Sequence, residues 1–355
     1  MITVILTYRN RELKILDRCL RSLSSQTCKD FNIVIVDYGS RNLIKTSLGN
    51  LLKSYVNTEL ITCETQRQLW CKSRAINIAL KQCQNPFVFI GDVDMIFRSD
   101  FIEVLYQLKD ENEITYFQVG FLNKEESTAD KEFNNYKIGF KSKKEATGMT
   151  LYPTKVLKSI NGYDEFYNGW GSEDTDVHTR MKNSGVPIYY YTENILMLHQ
   201  WHEKFYRTKE SKAPYHSKLE EINSEYLKLV STTNKIKANL RFGWGKYCES
   251  DYEALNTSDF NYSITNKESE VKAFINNVLL ISKKAVITVK INPHKSYRSF
   301  KYIIKKLVGK KTMSFLNMQE VNDTLLEIII MNLRDKAYKY SFDKKSKIIS
   351  LKIKL

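Results

Sequence analysis

Two aspartates one residue apart, Asp92 and Asp94, close the apolar run Phe87-Val88-Phe89-Ile90-Gly91. Such a run reads as a buried strand, and its carboxyl end lies where open α/β sheets bind ligands. Strand alternation would turn both carboxylates the same way. Hard oxygen donors suit Mn2+ or Mg2+, ions that keep positions open for substrate phosphates. An acidic turn at a strand end is the competing reading. A second group is Gly169-Trp170-Gly171-Ser172-Glu173-Asp174-Thr175-Asp176. Glycine on both sides of Trp170 lets the backbone turn tightly and brings the indole against a ligand, as sugar sites need. A helix is predicted from about Ser172 to Asn183, capped by Ser172 and stopped near Gly185. Its dipole would favour an ionised Asp174, able to accept a proton from an attacking alcohol. Alternatively both acids only cap and solvate the helix end. His199 and His202 lie three apart beyond the next strand, and imidazoles suit Mn2+ or Zn2+. Alone they read as surface histidines. With Asp92 and Asp94 they complete an oxygen-plus-nitrogen site.

These groups need a frame, and the first half supplies alternating strands and helices. Strands are expected at Ile2 to Leu6, Phe31 to Val36, Glu59 to Thr62 and the run ending at Asp94. Helices are expected at Glu12 to Gln26, Leu43 to Tyr55 and Lys72 to Cys83. This order argues for an α/β fold with a largely parallel sheet, and Asp37 and Asp94 would face one crevice. Lys124 to Lys144 reads as a mobile loop or excursion, Thr147 to Tyr152 as a strand, Pro153 to Ile160 as a short helix and Pro187 to Tyr191 as a strand. Residues 204 to 238 read as surface helices. Beyond them Lys284 to Ile291 reads as a strand, Tyr297 to Leu307 as a basic helix and Leu325 to Met331 as a buried strand. Phe242-Gly243-Trp244-Gly245 echoes Gly169-Trp170-Gly171 but lacks the acids, so it is no repeat of the site.

The charge divides unevenly. Residues 1 to 230 carry 31 Lys/Arg against 29 Asp/Glu, and residues 231 to 355 carry 24 against 11, a net of +13. The carboxyl-terminal part is therefore expected to meet an anionic partner, solubility alone being the alternative. No apolar stretch reaches the roughly 18 residues of a membrane span, and the first residues read as a strand, not a signal peptide. Six cysteines without a C-x-x-C pair suggest reduced thiols in a cytoplasmic protein.

Taken in order, Thr7-Tyr8-Arg9-Asn10-Arg11, Asp37, Ser73-Arg74-Ala75-Ile76-Asn77, Asp92-Val93-Asp94 and the Gly169 to Asp176 block resemble inverting nucleotide-sugar glycosyltransferases of the GT-A fold. The first segments are similar to the large family 2 group. The Gly-Trp-Gly block and the preceding Thr147-Gly148-Met149 are similar to β1,4-galactosyltransferases and to the catalytic modules of chondroitin polymerases and polypeptide N-acetylgalactosaminyltransferases. The resemblance implies a Rossmann-like, mostly parallel sheet flanked by helices over residues 1–210, while polarity and charge beyond it read as a helical linker at 211–240 and a small basic α/β appendage at 241–355. It implies that Thr7 and Arg9 line the nucleotide end, that Asp37 meets the uracil or ribose, and that Arg74 reaches the diphosphate. Val93 would pack near the ribose, and Asp94 would coordinate Mn2+ (or Mg2+) with Asp92 beside it. Asp174 would be the catalytic base, Glu173 and Trp170 would hold acceptor or donor sugar, and the final metal ligands would fall on His199, His202 or both.

The implied activity is transfer of a hexose or N-acetylhexosamine, galactose-type favoured, from a UDP-sugar to a glycan or lipid-linked glycan. Residues 241–355 would make peripheral contact with an anionic membrane at the inner face. The rival from another class is a non-catalytic nucleotide- or nucleic-acid-binding α/β protein. Nucleic acid is disfavoured because it leaves the Gly-Trp-Gly block unexplained. A metal-dependent nucleotide-sugar hydrolase is the rival among enzymes.

Overall fold

A computed structural model describes residues 1–143, 148–203 and 214–355. Two compact units are present. The first comprises Met1–Cys63, Trp70–Lys209 and Glu220–Tyr247, and the second comprises Glu64–Leu69, Glu210–Leu219 and Cys248–Leu355.

The first unit is built on strands β1 Ile2–Tyr8, β2 Phe31–Tyr38, β3 Thr58–Cys63, β4 Phe87–Asp92, β5 Met95–Phe97, β6 Ile114–Phe117, β7 Gly120–Phe121, β8 Phe140–Lys141, β9 Thr150–Pro153, β10 Ile188–Tyr191 and β11 Met197–His199. Seven of these form one sheet in the order β10-β6-β9-β4-β1-β2-β3. β1 runs parallel to β2 and β4, and β9 enters antiparallel between β4 and β6. The strands read as unbroken apolar runs because helices cover both faces. Leu16, Leu20 and Leu23 of helix Leu13–Ser24 pack with Val4, Leu6 and Phe89 on one side. Ile76 and Leu80 of helix Lys72–Gln82 pack with Ile5, Val36 and Ile90 on the other. This is the expected α/β architecture, a large parallel-rich sheet flanked by helices.

The chain steps outward from β1 to β2 and β3, then returns to β4 on the far side of β1. A crevice opens at such a reversal of strand order. The register pairs Thr7 with Asp92 and Tyr8 with Asp37, so these residues share the carboxyl edge of the sheet.

One element redirects the aspartates. β4 ends at Asp92, Val93 and Asp94 form a turn, and the chain resumes as β5. The expectation that strand alternation aligns both carboxylates therefore fails, because the strand stops between them. β5 belongs to a second small sheet, β5-β11-β7-β8, in which His199 pairs with Met95. Strands β5, β6 and β11 and the helix Phe101–Leu108 carry too few residues for a clear period. The excursion after Lys124 holds the short helix Lys124–Thr128, and Arg18 donates to the carbonyls of Ser127 at 2.5 Å and Ala129 at 3.0 Å. The expected loop residue Lys144, the expected strand residue Thr147 and the expected helical residues 204–213 lie outside the described residues. Helix Leu219–Thr232 follows them.

The second unit contains β12 Phe260–Thr265, β13 Val286–Asn292, β14 Tyr338–Asp343 and β15 Ile348–Lys354, ordered β12-β13-β15-β14. The Leu325 to Met331 segment, expected as a buried strand, lies instead in helix Met318–Asn332. A short apolar run does not separate strand from helix, but the capping box does: Asn317 accepts from the Glu320 amide while Glu320 accepts from the Asn317 amide. Val321, Leu325 and Ile329 then recur at helical spacing and are buried. All six cysteines are free thiols. Among the described residues no helix is long and apolar enough to cross a membrane.

Candidate active site

Helix Lys72–Gln82 crosses behind the sheet and points its first side chain at the acids. The Lys72 ammonium lies 3.1 Å from Asp92 Oδ1 and 3.3 Å from Asp174 Oδ2. Burial works against the charge on Lys72, but Asp174, Asp92 and Glu173 outweigh it and hold the ammonium well above its ordinary pKa. Sequence reasoning missed this residue. A cation in the first turn opposes the helix dipole, and that mismatch is the signal that could have found it.

Asp94 keeps different company. Its Oδ2 lies 3.1 Å from His202 Nε2 and 3.4 Å from an Arg11 nitrogen, and its Oδ1 lies 3.7 Å from His199 Nε2. The pairing of β11 with β5 sets His199 beside the turn, and Gln200 N donates to the Asp94 carbonyl at 2.8 Å. Phe121 stacks on His199 with ring centres 4.7 Å apart and fixes its plane. His202 Nδ1 sits 3.0 Å from the Glu203 carbonyl. In the tautomer that a metal ligand needs, Nδ1–H donates to this carbonyl and leaves Nε2 to bind an ion. Burial alone would raise the Asp94 pKa, but His199, His202 and Arg11 hold it well below the carboxylate range.

The residues fit a divalent ion. One ligand atom from each of Asp94, His199 and His202 lies within 4.8 Å of the others. Asp94 Oδ1 is buried and accepts no hydrogen bond, and the Nε2 atoms of both histidines turn toward the Asp94 carboxylate. Mixed oxygen and nitrogen donors of this kind suit Mn2+ better than Mg2+. Asp92 is not in that set, because Lys72 holds its carboxylate.

Helix Glu173–Asn183 carries the second pair of acids in its first turn. Ser172 precedes it in a left-handed conformation, φ 76°, and its side chain caps nothing, contrary to expectation. The left-handed backbone at Gly169, Gly171 and Ser172 turns the chain sharply into the helix. Trp170 is left 45% exposed between the two glycines. Burial pushes the Glu173 carboxyl up to about 7, with the charge of Asp174 adding to the rise. Asp174 is also raised, by burial first and by Asp92, while Lys72 pulls it back. The ammonium beside Asp174, more than the helix dipole, favours its ionised form. Gly148 abuts the pair: a Cβ there would sit 2.6 Å from Asp174 Oδ2 and 3.2 Å from Lys72 Nζ.

The remaining predicted residues divide. Thr7 and Asp37 are buried at the carboxyl edge of the sheet. Burial raises the Asp37 pKa, against the Ser40 hydrogen bonds and the charges of Lys45 and Arg9. Val93 is buried in the hydrophobic core. Arg74 donates to the Lys246 carbonyl at 2.9 Å, which directs it toward the Phe242 to Gly245 segment. That segment is a buttress: Gly245 N donates to Glu165 at 2.6 Å, and Lys81 lies 3.8 Å over the Trp244 ring. Asp176 pairs with Arg180 at 2.6 Å in full burial, anchoring the helix and not the crevice.

Two family models match this part of the chain, glycosyl transferase family 2 over residues 3–157 and N-terminal domain of galactosyltransferase over residues 128–203. Residues 3–203 are thus similar to glycosyltransferase domains. Within this span, residues 128–203 include Gly148, Glu173, Asp174, His199 and His202. A curated protein that the chain resembles is teichoic acid poly(glycerol phosphate) polymerase of Staphylococcus epidermidis, 32% identical over 94 residues. That match covers 26% of this chain and 12% of the polymerase, so the chain spans a small part of that relative's length. The crystal structure of S. aureus TarS 1–349 in complex with UDP-GlcNAc is similar at 16% identity and a TM-score of 0.48, covering 67% of each chain. The structure of GalNAc-T7 with UDP, GalNAc and Mn2+ is similar at 14% identity and a TM-score of 0.44, covering 57% of this chain and 44% of that one.

Proposed function

We infer that the chain is an inverting, metal-dependent glycosyltransferase that moves a hexose or N-acetylhexosamine, galactose-type favoured, from a UDP-sugar to a hydroxyl of a glycan or lipid-linked glycan. The observation that carries this reading is the adjacency of two unlike clusters. Asp94, His199 and His202 form one, and Lys72, Asp92 and Asp174 form the other. The family matches support transfer of a glycosyl group, and the teichoic acid polymerase supports a cell-surface polymer as the setting.

Asp94, His199 and His202 would hold Mn2+ or Mg2+, and such an ion, when bound, stabilises the charge that develops on a leaving diphosphate. Lys72 fixes the spacing of Asp92 and Asp174. Asp174 takes the proton of the acceptor hydroxyl as it attacks the anomeric carbon from the face opposite UDP. An α-linked donor then gives a β-linked product. Trp170 offers its ring face to a sugar, and Glu173 offers a carboxyl that donates or accepts a hydrogen bond near neutral pH. Thr7, Arg9 and Asp37 would line the nucleotide end, Val93 the ribose, and Arg74 the diphosphate once released from Lys246. Residues 1–210 would hold the chemistry, and the basic residues 241–355 would meet an anionic membrane at the cytoplasmic face.

The test is UDP titration by calorimetry with Mn2+ and with chelator, beside turnover of a panel of UDP-sugars. Asp174→Asn is expected to lower transfer by about 10²- to 10⁴-fold, the usual contribution of a general base, and to keep metal-dependent UDP binding. Equal loss of both would remove Asp174 from the base role. Turnover that needs no acceptor would indicate hydrolysis, and no UDP binding under any condition would indicate a non-catalytic module.

A further inference from the structure

The second unit carries a helix whose apolar side is left open to solvent. In Phe300–Leu307, the residues Phe300, Ile303, Ile304 and Leu307 follow the i, i+3, i+4, i+7 pattern and fall within one arc of about 100°. All four are exposed, Phe300 at 79% and Leu307 at 80%, and Val308 and Met313 continue the surface. No side chain of this helix is buried. The opposite side is anchored: the Tyr302 ring lies 5.1 Å from Phe315, which also meets Tyr297 and His294. Ser299 caps the first turn by accepting from the Tyr302 amide. The helix is thus held by its back with its greasy face outward.

The charge along this stretch of sequence is one-sided, with Glu268 beside it at Ser314. Residues 271 to 319 contain 11 Lys/Arg and no Asp or Glu. Lys301, Lys305 and Lys306 flank the apolar arc, and Lys310 and Lys311 follow it. A second copy of the chain would set two such basic faces against each other. A nucleic acid would use the lysines and leave Phe300 and Leu307 without a role.

We propose that this face docks on an anionic lipid bilayer, with Phe300, Ile303, Ile304 and Leu307 entering the headgroup boundary and the lysines meeting lipid phosphates. The assignment rests on and sharpens the membrane contact proposed above for residues 241–355, and it is independent of glycosyl transfer because it uses no residue of the candidate active site.

Co-sedimentation of the full chain with vesicles of phosphatidylcholine alone, or with phosphatidylglycerol added, tests it. Binding is expected only to the anionic vesicles, falling with salt. The double variant Phe300→Glu/Leu307→Glu is expected to lose it at least tenfold, and Lys305→Gln/Lys306→Gln to weaken it by about fivefold per lysine. Both pairs are exposed, so the circular dichroism spectrum and UDP binding should be unchanged. Binding that ignores lipid charge, survives the double glutamate variant, or is replaced by self-association through this face overturns the proposal. So does tight nucleic-acid binding that needs the lysines and not Phe300 or Leu307.

Discussion

Asp92 and Asp94 are separated by one residue and end in different surroundings. Asp92 closes a strand and reaches a lysine from the helix that packs behind the sheet. Asp94 lies in the turn after it and reaches two histidines delivered more than a hundred residues later. The first cluster sets carboxylates against one half-buried ammonium, and at Asp174 burial and the charge of Asp92 outweigh it and push the pKa up. The second surrounds one carboxylate with nitrogen atoms and pulls it down. A two-aspartate signature therefore need not be a single chelate. What each acid can do is decided by the segment that arrives opposite it.

The largest expected effect separates the two acids directly. Asp94→Ala should abolish metal-dependent UDP binding, a loss above the 10- to 100-fold typical when only an outer partner of a metal site is removed. Asp92→Asn should retain most of that binding while lowering transfer, because its carboxylate contributes through Lys72. Calorimetry with Mn2+ and with chelator reads both. If the two variants lose metal-dependent binding equally, the clusters are one site and the contrast between them collapses.

A smaller effect is expected at Lys72. In Lys72→Met the Asp174 carboxylate loses the cation beside it and holds its proton more tightly. Because a base must be ionised, the acidic limb of kcat/KM should move to higher pH, with activity partly recovered in alkali. Breaking this half-buried arrangement should also cost on the order of 1–3 kcal/mol, below the cost of breaking a fully buried pair, measurable by urea unfolding. An unchanged pH profile would make Lys72 a packing residue only.

The central sheet was legible because buried parallel strands and amphipathic helices have distinct periods, and β1 to β4 are long enough to display them. The acids and histidines of the candidate site were legible as types, since few side chains bind metal or move protons. Their grouping was not. Lys72 sat unremarked inside a predicted helix, and the turn at Val93 and Asp94 depends on β5, three residues long and paired with a strand a hundred residues away. Arg74 looked like the phosphate ligand on the same helix, yet its side chain reaches the Lys246 carbonyl. In the second unit, helix Met318–Asn332 was misread because its apolar run was weighed without its cap.

The smallest effect sharpens the contrast through pH. Glu173 has an ordinary value of 4.5 and is raised to about 7 in the fold. Below the ordinary value both folded and unfolded chains hold the proton and nothing is lost. Between the two values the folded chain holds a proton that the unfolded chain has released, so stability falls as pH rises, and above the folded value the full penalty applies. Glu173→Gln carries no charge and escapes it. The variant should match the parent near pH 4 and exceed it at pH 8 by about 1–3 kcal/mol. Asp94 runs the other way: its lowered value stabilises the fold at neutral pH, and that contribution is lost as the solution is acidified through the folded value. Urea unfolding of the two single variants Glu173→Gln and Asp94→Asn across pH should therefore give slopes of opposite sign relative to the parent. A gain for Glu173→Gln that is equal at both pH values would assign it to packing, and the two clusters would no longer differ in how they hold charge.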